Sequence, residues 1–185
     1  MIRTIAALTV GIVVAAAALP TTVPPAHAES ARQLESDARA ALRTLYAKQK
    51  SAKLLGSKAS AILVFPSILK AGFMFGGQIG EGVCLQGNRV TGYYNSVAAS
   101  YGLQAGIQRY GYALFFMNQK AVDQLNNTAG FELGVGPSIV VVDEGMGKSL
   151  TTNTITSDTY AFIFDQRGLM AGLGIQGSKI TRIDK

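Results

Sequence analysis

The chain has 185 residues, a formal net charge of +6, one cysteine, one histidine and no tryptophan. A lone cysteine excludes an internal disulfide, so the core alone must hold the fold. The positive balance suits anionic headgroups or other polyanions, and it equally suits a merely soluble basic protein.

The first residues read as an export signal. Arg3 supplies a basic start, Ile5 to Leu19 form an apolar run, and Pro20, Pro24 and Pro25 precede the triplet Ala26-His27-Ala28. A basic region, a short apolar region and an A-x-A site together mark a cleaved signal peptide. The run is too short to cross a bilayer, which takes ~20 residues, and Pro20 closes it. The expected plan is a signal peptide over 1–28 and a single domain over 29–185, located in the periplasm or secreted. Cleavage after Ala28 removes Arg3 and His27, which takes the net charge from +6 to +5. A mature chain without histidine has no Ser-His-Asp triad, no Cys-His pair and no histidine-bearing zinc site.

Glu29 to about Leu55 reads as helix, because it lacks Gly and Pro and is rich in Ala, Leu, Arg and Lys. At 100° per residue Ala31, Leu34, Ala38, Ala41, Leu42, Leu45 and Ala52 share one face. Arg32, Arg39, Arg43 and Lys50 fall on a narrow stripe roughly opposite and are the candidate lipid- or anion-binding residues. Gly56 is a natural stop. The helical segment is thus 29–56.

The remainder, 57–185, changes character. All of the 21 glycines except Gly11 and Gly56 lie between Gly72 and Gly177. Strand-like runs cover Ala61–Phe65, Phe73–Leu85, Arg89–Tyr94, Ala99–Met117, Phe131–Asp143, Tyr160–Asp165 and Leu169–Ile183, with a short helix expected at Asn118–Leu125. Gln86-Gly87-Asn88, Glu144-Gly145-Met146-Gly147 and Gln166-Arg167-Gly168 are turn signals. Cys84 sits in an apolar strand pattern and reads as a small core residue. The expected fold is α+β and mostly β: an amphipathic N-terminal helix packed on a Gly-rich antiparallel β-barrel or sandwich.

Three strand runs alternate with period two. Tyr101, Leu103, Ala105 and Ile107 alternate with Gly102, Gln104, Gly106 and Gln108. Phe131, Leu133, Val135 and Ile139 alternate with Glu132, Gly134, Gly136 and Ser138, and Leu169, Ala171, Leu173 and Ile175 alternate with Met170, Gly172, Gly174 and Gln176. One side is bulky and apolar; the other is Gly with Gln, Glu or Ser. Strand glycines such as Gly106, Gly134 and Gly172 need a cause, either a sharp sheet bend or close approach by another backbone or a ligand. On the second account Gln104, Gln108, Glu132 and Gln176 line a groove.

Other motifs fail on context. Gly147-Lys148-Ser149 resembles the end of a phosphate loop, but Val142 stands where that pattern needs glycine. Gly172-x-Gly174-x-x-Gly177 opens no βαβ unit. Nothing in the spacing of Glu81, Glu132, Asp143 and Asp165 pairs two of them for acid/base work, and there is no calcium-loop pattern. Asn126-Asn127-Thr128 is a glycosylation sequon by letters alone.

Several blocks resemble the SYLF domain family. They are Ala61-Ile62-Leu63-Val64-Phe65-Pro66, then Lys70-Ala71-Gly72-Phe73-x-Phe75-Gly76-Gly77 with Gly80 and Gly82. Ala99–Gln108, Phe131-Glu132-x-Gly134-x-Gly136-Pro137-Ser138 and Tyr160–Ile183 continue the likeness in order, over about Glu29 to Lys185. The resemblance implies a non-enzymatic domain without cofactor or metal. It implies binding to phosphoinositide-type or other anionic lipid through an amphipathic segment and basic residues, and for some relatives binding to actin. Bacterial relatives are envelope proteins. The export signal argues against cytosolic actin and phosphoinositides as natural partners, and no nucleic-acid motif is present.

Two functions follow from the residues and the resemblance together: a membrane-surface-binding envelope module, or a structural and assembly protein acting through contacts with another envelope protein. An enzyme is disfavoured because few groups titrate near neutral pH. If the signal is cut as expected, intact-mass measurement on protein from its native cells gives a chain that begins at Glu29; a mass that still includes Met1 contradicts the assignment.

Overall fold

The computed structural model describes residues 30–127, 131–132, 139–142, 150–151, 153–169 and 178–185. Two helices open it, α1 (Ala31–Lys48) and α2 (Lys50–Gly56). Ser30 caps α1, its Oγ accepting from the Gln33 amide at 3.2 Å. Leu34, Ala38 and Leu45 of α1 and Ala52 and Leu55 of α2 are buried, as the apolar face requires. Burying a leucine side chain in this way contributes about 1.5–3 kcal/mol.

The helical segment is not one straight rod. Gln49 leaves the helical region with φ −128° and ψ 107°, so α2 starts afresh at Lys50. No Gly or Pro marks the break. Packing sets it, because the kink carries Ser51, Ala52 and Leu55 onto the core. The expected stripe is corrected at this point: Lys50 belongs to a second helix and does not continue the line of Arg32, Arg39 and Arg43. α2 does end at Gly56, the expected stop, and a Cβ there would lie 2.1 Å from the Tyr46 Oη.

The sheet is built on one long hairpin of β1 (Ala61–Gln86) and β2 (Arg89–Phe116), antiparallel from Ala61↔Phe116 to Gln86↔Arg89. Gly87-Asn88 make the expected turn, with Gly87 at φ +58° in its first position. Four of the expected strands are therefore two. Pro66 does not end its strand, because a register shift between Phe65 and Ile68 absorbs it as a bulge. The far edge of β2 is shared: β5 (Thr159–Leu169) pairs along 107–116 and β6 (Lys179–Ile183) along 93–97. Between these lie α3 (Gln119–Asn127), β3 (Phe131–Glu132) and β4 (Ile139–Val141). The sheet is mixed, because β4 runs parallel to β5. Gln166-Arg167-Gly168 is no turn but a bulged part of β5, where Asp165 takes φ 51° and Gly168 φ 102°.

The hairpin curls into a half-barrel. Its inner side gathers Ala61, Leu63, Phe65, Ile68, Cys84, Tyr94, Tyr110, Tyr112, Leu114 and Phe116, closed by Ala121, Val122 and Leu125 of α3. Its outer side sets Ile62, Val64, Val83, Leu85, Ala113, Phe115, Phe162 and Phe164 under α1 and α2. Both faces are covered here, so Ala61–Phe65 reads as an unbroken apolar run rather than an alternating one. The fold class is α+β and mostly β, with the amphipathic helix against the curled sheet, as the sequence leads one to expect.

β1 folds back over itself, and two glycines allow it. A Cβ on Gly82 would lie 2.6 Å from Phe65 Cδ1 and 2.8 Å from the Val64 carbonyl oxygen, and one on Gly80 2.9 Å from the Ser67 carbonyl oxygen. Close backbone approach is thus one of the causes at work; Gly106 takes φ +140°, which side-chain-bearing residues rarely adopt, while Gly134 and Gly172 lie outside the described residues. Gly82→Val should destabilise the protein by at least ~2 kcal/mol in denaturant unfolding, because the obstacle includes backbone; an unchanged midpoint would contradict the close approach.

Candidate functional site

α1 lies along β1, and the hairpin turn comes up beside it. Arg39 Nη2 donates to the Asn88 carbonyl oxygen at 2.8 Å, which ties the helix to the turn. One helical turn on, Arg43 is exposed on the same side. Below them opens a cleft of about 490 Å³ lined by Arg39, Leu42, Arg43, Tyr46, Gly56, Ser57, Ala59, Ile62, Leu85, Gly87 and Asn88. Its chemistry is simple: an apolar floor from Leu42, Ile62 and Leu85, and a rim carrying two guanidiniums and no carboxylate. Tyr46 stands between floor and rim, its ring 6.4 Å from that of Phe115, and burial pushes its phenol up to about 12. The hydroxyl therefore stays protonated and able to donate at any physiological pH.

Such a cleft fits an amphiphile with an anionic head. Guanidinium forks donate to phosphate or carboxylate oxygens, and the floor takes apolar surface next to the head. Of the four basic residues expected to act together, Arg39 and Arg43 line the cleft. Arg32 is exposed two turns earlier on α1, and Lys50 is exposed at the start of α2; neither lines it.

The groove-lining candidates have a different setting. Gln108 points into the curl and is only 6% exposed. It sits opposite Lys70, which is 4% exposed, and on the same inner side as Gln78, Tyr110 and Ser178. Gln78 is the hub of this polar group: its Nε2 donates to Ser178 Oγ at 2.5 Å, and Tyr110 Oη donates to its Oε1 at 2.8 Å. Desolvation raises the Tyr110 phenol to about 12 and pushes Tyr112 well above its ordinary value. Sequence reasoning missed Lys70, Gln78 and Ser178. Parity could have found the first two, since Lys70 alternates with Leu69 and Ala71, and Gln78 with Gly77 and Ile79. The side chains of Gln104 and Glu132, and all of Gln176, lie outside the described residues.

Acid chemistry finds little support. Glu81 accepts from Lys185 Nζ at 2.7 Å, and Asp165 is ion-paired with Lys48. Asp143 lies outside the described residues. Cys84 is buried, and desolvation raises its thiol, so it is a poor nucleophile. Among the described residues, no group of three or more His, Cys, Asp or Glu side chains could hold a metal ion.

Comparison with known proteins adds one finding. The family model described as "Ysc84: Las17-binding protein actin regulator" matches residues 97–185. No curated protein matches the chain significantly. The matched span takes in most of β2 and everything after it, while α1, α2, β1 and the Arg39–Arg43 cleft precede it. Residues 97–185 thus match the Ysc84 family model, that of the SYLF family which the sequence motifs resemble.

Proposed function

We infer that the protein is a non-enzymatic binding module that acts outside the cytoplasm on anionic lipid at the cell envelope. The observation that carries this reading is the cleft under Arg39 and Arg43, with two cations above an apolar floor and no acid on its lining. Each cation near a charged surface is worth ~1 kcal/mol. The matched family's description concerns an actin regulator. Cytosolic actin is not the partner we infer here, because residues 1–28 read as an export signal. Among the described residues no helix is long and apolar enough to cross a membrane, and surface attachment needs none.

Flotation with phosphatidylglycerol and phosphatidylcholine vesicles tests the reading. Wild-type protein should float with the anionic vesicles and lose affinity as salt rises, since exposed charges are screened. The double variant Arg39→Glu/Arg43→Glu should bind at least about tenfold more weakly, while losing only about 1 kcal/mol of stability, the contribution of the Arg39–Asn88 hydrogen bond. A folded double variant that binds like wild type removes the cleft from the account. No binding by wild type removes the lipid reading and leaves assembly through protein contacts.

A further inference from the structure

The middle of the β1–β2 hairpin is inverted relative to an ordinary half-buried sheet. Its inward positions are polar: Lys70, Gln78, Ser96 and Gln108 are all buried. Its outward positions are apolar and wet: Ile79 is 58% exposed, Ile107 65% and Val97 46%, and Leu69 is exposed with them. A soluble sheet places these sets the other way round. Polar inside and apolar outside is the arrangement of strands whose outer surroundings are hydrocarbon. α1 covers the outer face over Val83 and Leu85 but does not reach these residues.

The fold-back gives this region its shape. Because Gly80 and Gly82 press their inner side against Val64–Ile68, the outer sides of the two arms diverge. One arm bears Leu69 and Ile107 and the other the cross-strand pair Ile79↔Val97. Between Ala71 and Gly80, and between Ser96 and Gln108, neither strand contains a charged residue.

Charge then appears at the border. Arg109 pairs with Leu69 on one side and with Arg167 on the other, and both arginines are exposed. Like charges directly opposite in a sheet repel. Ile107 lies one step beyond this pair toward the bend, about 7 Å along the strand. An arginine pair at headgroup level with apolar side chains just below it matches the interface of an anionic leaflet.

We propose that the bent middle of the β1–β2 hairpin dips into an anionic lipid leaflet, burying Leu69, Ile79, Val97 and Ile107 while Arg109 and Arg167 engage the headgroups. The proposal rests on the lipid reading above and adds a second, inserting surface to it. A second copy of the chain fits less well, because twofold packing of this face would bring arginine pairs together.

The absence of tryptophan makes the test clean. Ile107→Trp and, on the other arm, Ile79→Trp each introduce a single indole at an exposed position, so one remains informative if the other fails to fold. On adding phosphatidylglycerol vesicles, both indoles should shift to the blue and be quenched by bromine placed on the acyl chains. Ile79→Ser/Ile107→Ser should weaken vesicle binding about tenfold. If wild type floats with anionic vesicles but neither indole shifts, the inserting surface is wrong and the lipid reading stands. If wild type does not float, both fall. A blue shift that grows with protein concentration in the absence of vesicles means a second copy covers the face, and it too overturns the proposal.

Discussion

The whole molecule depends on one backbone contact, the passage of Gly80 and Gly82 over Val64–Ile68 of the same strand. A 26-residue strand cannot stay straight in a domain of this size. It bends, and the bend brings the two arms together only where one of them has no side chain. Once that contact forms, Leu63, Phe65, Tyr112 and Phe116 find an enclosed inner side, and the stacked Phe65 and Tyr112 rings meet at 6.1 Å. The outer side becomes convex and needs a cover of its own. α1 and α2 supply it over the closed end, and the kink at Gln49 is the local cost of following a curved surface.

The same curl explains why the cleft and the hairpin middle differ. At the closed end both faces are covered, and the helix turns its basic side outward beside the Gly87-Asn88 turn. Arg39 is then held by the Asn88 carbonyl and Arg43 is left to solvent over an apolar floor. In the middle neither α1 nor α2 reaches the outer face, while the inner side narrows around a polar group. Burying Lys70 and Gln78 there is costly unless their polar atoms are partnered. Gln78 meets that condition through Tyr110 and Ser178. Register is fixed at the closed end, where a slip by one residue would turn Leu63 and Phe65 off the inner side they fill.

Much of this was legible in the residues. The apolar face of α1, the turn at Gly87, the short helix after Asn118 and the core position of Cys84 follow from spacing and residue type. The strand boundaries did not, since Pro66 and Gly168 are breakers by propensity, yet the first is absorbed in a bulge and the second is paired with Gln108 within β5. The break at Gln49 left no trace either, because tertiary packing imposes it on a good helical sequence. For the site, a helical wheel could group Arg39 with Arg43. It could not separate them from Arg32, which depends on where the hairpin turn arrives, or from Lys50, which depends on the kink. Alternation divided Ile107 from Gln108 without saying which faced inward, because that choice belongs to the curl.

The cleft and the hairpin middle sit at opposite ends of the folded ribbon, which constrains how they can work together. Leu85 lines the cleft, and Ile79 on the same strand is one of the exposed hairpin-middle residues. Six residues of strand between them span roughly 20 Å at about 3.3 Å each. That is well beyond the ~10 Å within which substitutions couple directly. If a single leaflet engages both surfaces, the ribbon must lie along it, and the binding free energy lost at the cleft should add to that lost at the hairpin. If the hairpin stands upright with its bend in the leaflet, the cleft is held clear of the headgroups. Substitutions there then leave vesicle affinity intact, the outcome that removes the cleft from the lipid reading. Combining Arg39→Glu/Arg43→Glu with Ile79→Ser/Ile107→Ser distinguishes the two postures: additive losses on vesicles mean a flat ribbon, and a combined loss equal to that of the hairpin pair alone means an upright one.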